Sequence, residues 1–103
     1  MKSKKFKDYL EKRLDKDEIN ELEKQAVIEF EALKVLQDDV SHAVADYMAQ
    51  EKIGFNELVR RLGVSAAQVS KIQKGEANLT LASLAHIAAL LGKRPHLSFG
   101  TAA

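Results

Sequence analysis

Between residues 19 and 47, apolar side chains recur every three or four positions: Ile19, Leu22, Ala26, Phe30, Leu33, Leu36, Val40, Val44 and Tyr47. That period marks one stripe on an α-helix and predicts a long helix over Lys16–Glu51, about 50 Å at 1.5 Å per residue. Neither Gly nor Pro occurs in residues 1–53, so this half is predicted to be almost wholly helical. A shorter helix is predicted over Phe6–Arg13, with Phe6, Tyr9, Leu10 and Arg13 at helical spacing. Asp15, with Glu18 three residues on, has the capping-box pattern at the start of the long helix. Asp17, Glu18 and Glu21 crowd its first turns, where the helix dipole favours acids. Asp38-Asp39 is where a break is expected if the long helix divides in two.

After Gly54 the pattern shifts to short helices with marked ends. Phe55–Leu62 places Leu58, Val59 and Leu62 on one face and stops at Gly63. Ser65 caps a helix through Lys74 that stops at Gly75, and Thr80 caps one through Leu91 that stops at Gly92. On that last helix Leu81, Leu84, Ile87, Ala88 and Leu91 form the expected core face. Pro95-His96-Leu97-Ser98-Phe99 alternates polar and apolar residues and is predicted to form one short strand, with Pro95 confining it to an edge or a strand start. A lone strand needs a backbone partner, and a second copy of the chain is the simplest one. The expected fold class is therefore all-α with an N-terminal helical extension and a short C-terminal strand. The expected divisions are 1–37, 38–92 and 93–103.

Composition narrows the chemistry. The 103 residues contain no Cys, which removes disulfides, thiol catalysis and Cys-based zinc sites. The longest apolar run is Ile87–Leu91, far short of the roughly 20 residues of a membrane span or the 7–15 of a signal peptide core. A cytoplasmic protein is expected. His42, His86 and His96 are scattered, with no i, i+4 pair, so neither a metal site nor a cofactor is expected. No phosphate loop, nucleophile elbow or catalytic carboxylate pair stands out, and an enzyme is not expected.

The net charge of +1 conceals three blocks. Residues 1–14 have six bases against two acids, residues 15–51 three against eleven, and residues 52–103 seven against two. A basic C-terminal half beside an acidic middle suggests two surfaces with different partners, although an acidic helix face is also an ordinary solvated one.

Two short helices joined through Gly63-Val64-Ser65 make a helix-turn-helix, with Leu58, Leu62, Val64, Val69 and Ile72 able to share a core. At 100° per residue, Val69, Ile72 and Gln73 lie inward on the second helix. Ala67, Lys71 and Lys74 lie outward, flanked by Gln68 and Ser70. A face that starts small and ends basic suits a major groove, where small residues allow close approach and Gln, Ser and Lys reach base edges or phosphates. An ordinary solvated helix in a small bundle has the same two-sided pattern.

Residues 51–91 resemble the Cro/XRE helix-turn-helix family of phage and bacterial repressors. The likeness rests on Glu57-Leu58-Val59, Leu62-Gly63-Val64-Ser65, Val69-Ser70-Lys71-Ile72, Lys74-Gly75 and the Thr80-capped final helix. It implies a phage-repressor-like helical bundle whose first helix is about 40–49, bound as a homodimer to a palindromic double-stranded operator. Base reading would fall to Ala66, Ala67, Gln68, Ser70 and Lys71. The family often carries Gln or Ser where this chain has Ala66 and Ala67, which shifts the reading toward Gln68, Ser70 and Lys71, plus contacts with thymine methyls. Phosphates would be held by the Phe55 backbone N–H, Asn56, Lys74 and Asn78, with Lys52 nearby. The chain departs from the family where Phe55 replaces a usual Gln, where Leu79 replaces a common Pro, and where Met48 and Gln73 replace a usual Arg–Glu pair. The last pair is lost together and leaves no orphan charge.

The layout as a whole is similar to HigA-type antitoxins: a basic N-terminal helix, an acidic cap, a long helix feeding the repressor module, and a strand after Leu-Gly-Lys-Arg-Pro. That resemblance implies a transcriptional repressor of its own operon that also neutralises a HigB-like, mRNA-cleaving RNase toxin. Phe6, Tyr9, Leu10, Ile19 and Leu22 are the candidate toxin contacts, and a basic toxin would be drawn to the acidic block. His86 and Leu90 on the final helix, with Leu97 and Phe99 of the tail, are the candidate dimer contacts. Two alternatives stay open: a stand-alone Cro/XRE-type regulator with no toxin partner, and an interaction protein with a relic helix-turn-helix.

Overall fold

The computed structural model describes residues 16–100, with side chains from residue 18 onward. The expected Phe6–Arg13 helix, the Asp15 cap and the candidate contacts Phe6, Tyr9 and Leu10 lie outside the described residues. Four helices follow in order: α1 (Lys16–Glu51), α2 (Phe55–Leu62), α3 (Ala66–Lys74) and α4 (Leu81–Leu91). The chain falls into two units, Met1–Val35 and Leu36–Ala103.

α1 is unbroken across Asp38-Asp39, so the carboxylates there ride on a helix and do not cap a new one. In the first unit, α1 leaves Leu22, Val27, Ile28, Phe30, Leu33 and Val35 exposed, Phe30 to 67%. At 100° per residue, these apolar positions spread around the helix and do not form one stripe.

The second unit has a true core. Val44 from α1, Leu58 and Leu62 from α2, Val69 and Ile72 from α3, and Ile87 and Leu91 from α4 are buried together with Ala77. Val40, Tyr47, Met48, Ile53, Val59, Val64, Leu79 and Leu90 pack against them. Val40, Val44 and Tyr47, Leu58 and Leu62, Val69 and Ile72, and Ile87 and Leu91 are sets that the sequence period places on one face, whereas Met48 and Leu90 pack on the core from outside that period.

The helix ends follow local chemistry. Ser65 Oγ accepts the Gln68 backbone N–H at 3.1 Å, and Thr80 Oγ1 accepts that of Ser83 at 3.0 Å. Gly63, Gly75 and Gly92 close α2, α3 and α4 with φ of 66°, 70° and 69°, a left-handed backbone that costs glycine nothing. α1 ends the same way without a glycine. Lys52 sits at φ 54°, and the Ile53 N–H returns to the Met48 carbonyl at 3.1 Å. The six-to-one bond is that of a Schellman turn, with Ile53 and Met48 both packed on the core.

Two expectations are corrected. Residues 93–100 form no strand. An extended segment must pair its N–H and C=O groups with another strand, and the described residues include none. Leu81 was placed on the core face by its period but is 80% exposed. It is the first residue of α4, more than a full turn ahead of the buried Ile87, Ala88 and Leu91.

Candidate nucleic-acid interface

α2 and α3 are joined by only Gly63, Val64 and Ser65. The left-handed Gly63 turns the chain, its N–H bonded to the Val59 carbonyl at 3.0 Å, and Ser65 starts the next helix at once. Val69 and Ile72 hold α3 to the core, so its other side is open. Ala66, Ala67, Lys71 and Lys74 are exposed, and Gln68 and Ser70 are half-buried beside them. Ala67, Lys71 and Lys74 recur at i, i+4 and i+7 and therefore share one face.

The expected phosphate contacts all fall at helix ends or in loops. Lys52 lies between α1 and α2, Phe55 and Asn56 are the first residues of α2, Lys74 is the last of α3, and Asn78 lies between α3 and α4. All five are exposed. At the start of α2 no side chain caps the helix, since the N-cap is Gly54. Its first N–H groups are left for solvent or an anion.

α3 is held from behind by α1. Ser41 Oγ donates to the Gln73 carbonyl oxygen at 2.7 Å, and Gln37 Nε2 donates to that of Ala77 at 3.0 Å. Gln73 Nε2 lies 3.2 Å from Met48 Sδ. The Gln73 side chain reaches back to α1 as its inward placement implied, yet the residue as a whole is exposed. Ser41 and Gln37 escaped the sequence reading because their partners are backbone carbonyls more than thirty residues away, which no local pattern encodes.

A second fastening joins α1 to α2. Arg61 Nη1 donates to Glu51 Oε1 at 2.8 Å and to Tyr47 Oη at 3.0 Å, while Nε donates to Glu57 Oε1 at 3.1 Å. Its guanidinium carbon is 5.9 Å from the centre of the Tyr47 ring. Arg60 also pairs with Glu57. Hydrogen bonds from Arg60 and then Arg61 lower the Glu57 pKa to about 2. The Glu57–Arg61 spacing of four was a visible signal for this pair, whereas the Tyr47 and Glu51 contacts depend on how α1 crosses α2.

The other expected site residues are placed as follows. Ile19 is half-buried and Leu22 exposed on the first unit's part of α1. His86 Nε2 lies 2.9 Å from the Leu62 carbonyl oxygen, and because a carbonyl only accepts, Nε2 carries the proton. Leu90 packs partly against the core, and Leu97 and Phe99 are exposed, Phe99 to 90%. His86 and Leu90 are thus partly engaged inside the chain. Among the described residues no group of three or more His, Cys, Asp or Glu could hold a metal ion, and no helix is long and apolar enough to cross a membrane.

A tight two-helix turn on a small helical core, with the second helix open and basic, defines a helix-turn-helix DNA-binding module. The Cro/C1-type HTH DNA-binding domain family matches residues 44–96, about half of the chain, from the end of α1 through the segment after α4. The chain belongs to that family and is a DNA-binding transcription regulator. Among curated proteins and among solved structures, nothing matches it.

Proposed function

We propose that the chain is a cytoplasmic transcriptional repressor that binds a palindromic operator as a homodimer and acts by binding, not by catalysis. The observation that carries the DNA reading is the open face of α3, where Ala67, Lys71 and Lys74 align opposite the buried Val69 and Ile72. Each subunit lays α3 into a major groove, with half-sites one helical turn apart. Ala66, Ala67, Gln68, Ser70 and Lys71 read bases. Lys52, Phe55 through its N–H, Asn56, Lys74 and Asn78 hold phosphates. The exposed apolar side chains Leu97 and Phe99 support contact between two copies, which would cover them.

The finer reading is an antitoxin of the HigA type, which represses its own operon and neutralises a HigB-like RNase toxin. The supporting observation is the first unit's part of α1, where Leu22, Val27, Ile28, Phe30 and Val35 are apolar and exposed. Such a helix is suited to being covered, and its acidic charge favours a basic partner. Co-expression of the tagged chain with the product of the adjacent reading frame tests this reading. A stoichiometric small basic partner, toxic when expressed alone, supports the antitoxin. A clean dimer that binds DNA and recruits no partner leaves the stand-alone regulator.

A further inference from the structure

We infer that the first turn of α3 reads thymine through methyl groups, so that each half-site carries a thymine about two base pairs from a guanine. This deepens the DNA-binding reading and rests on it. The first two residues of α3, Ala66 and Ala67, are both exposed and offer only a methyl group each. Ser65 Oγ is engaged by the Gln68 N–H, and Gln68 is itself half-buried. The next fully exposed residue on the Ala67 face is Lys71. α3 contains no acid, so it has no carboxylate to accept from the amino group of cytosine. The chemical inventory of this line is thus methyl first, ammonium second.

In the major groove, an alanine methyl matches the C5-methyl of thymine, and a lysine ammonium matches O6 and N7 of guanine. The small side chains also let the start of α3 approach the base edges closely enough for methyl to meet methyl. Four residues of helix rise about 6 Å, and base pairs step by about 3.4 Å, which sets the spacing between the two bases. The 5-methyl group of 5-methylcytosine occupies the same place as that of thymine, so the same turn accepts a methylated cytosine better than a plain one.

The test uses the full chain. Duplexes enriched from a randomised pool supply a bound site. Each thymine in it is then replaced singly by uracil, which lacks only the methyl group, by cytosine and by 5-methylcytosine. At one or two positions, uracil is expected to weaken binding about fourfold, the worth of one methyl group removed from water. 5-Methylcytosine should bind more tightly than cytosine there. Ala66→Gly and Ala67→Gly should bring the thymine-to-uracil ratio at those positions close to one. The ratio is taken within one variant, so any loss of helix stability cancels. A defined, salt-sensitive site in which uracil matches thymine everywhere overturns the methyl reading and leaves DNA binding standing. An unchanged ratio in both glycine variants overturns the assignment to these residues. Absence of any enriched site overturns the base-reading role of α3 and this inference together.

Discussion

The side-chain amide of Gln73 rests on the sulfur of Met48, with Nε2 3.2 Å from Sδ. This contact joins the last turn of α3 to α1. It replaces, with a neutral and softer pair, the Arg–Glu pair that the Cro/XRE resemblance leads one to expect at these two positions. Sulfur is a weak acceptor, so packing carries most of its worth. The geometry brings the two side chains within reach, and an ion pair should therefore be accommodated. The single changes Met48→Arg and Gln73→Glu are expected to destabilise. The double variant should be more stable than their sum by about 0.5–1 kcal/mol. Urea denaturation of the four proteins measures the coupling, and strictly additive effects would show that the charged pair does not form.

Lys52 holds a left-handed conformation that costs an L-residue roughly 1–2 kcal/mol, where the three other helix ends use glycine. Lys52→Gly relieves that strain but gives back part of the gain through a freer unfolded chain. The expected outcome is a net stabilisation of about 0.5–1 kcal/mol. Thermal or chemical unfolding reads it directly, and a loss of stability would mean that the lysine side chain contributes more than its backbone costs.

Glu57 has its folded-state pKa lowered from 4.5 to about 2, by Arg60 first and Arg61 second. A depressed carboxylate contributes stability above its unfolded pKa and loses it as pH falls. The stability gap between the protein and its Glu57→Gln variant should therefore be constant at neutral pH and shrink between about 4.5 and about 2. These charges are partly exposed, so the gap should also narrow in high salt. A gap independent of pH across that window would contradict the pairing.

DNA binding separates the two kinds of contact. Lys71→Ala and Gln68→Ala should each weaken the specific complex by about 1–3 kcal/mol and relax sequence preference. Lys74→Ala should weaken binding to all sequences alike and reduce the salt slope by about one ion. Titrations at several salt concentrations distinguish them, and wild-type specificity in the Lys71 and Gln68 variants would remove those residues from the reading face.

Leu22 is exposed on the part of α1 that belongs to the first unit and is not among the buried core residues. If the proposed antitoxin role holds, Leu22→Asp should leave unfolding and DNA affinity unchanged and abolish capture of the toxin. Full toxin neutralisation by that variant would free this face from the role.

Much of the repressor module was legible along the chain. Ser65 and Thr80 cap, and Gly63, Gly75 and Gly92 stop, because capping and left-handed turns are settled by two or three neighbouring residues. The core positions Leu58, Leu62, Val69 and Ile72 were visible as a helical period because one side of each helix must leave water. The continuity of α1 through Asp38-Asp39 was less clear, since acids at that spacing suit both a cap and a solvated face.

The sequence by itself therefore determined the three short helices after Gly54, their ends, the turn of the helix-turn-helix and the charge of its outer face, all of which depend on contacts within about one turn. Only the tertiary structure decided that Ser41 and Gln37 hold the far end of α3 and its loop, and that Arg61 gathers Tyr47, Glu51 and Glu57. It also decided that Leu81 stays in solvent despite its place in the period. A period states which side of a helix wants cover. Whether another element reaches that point is a matter of how far the neighbouring helices extend, and this is settled only when distant parts of the chain meet.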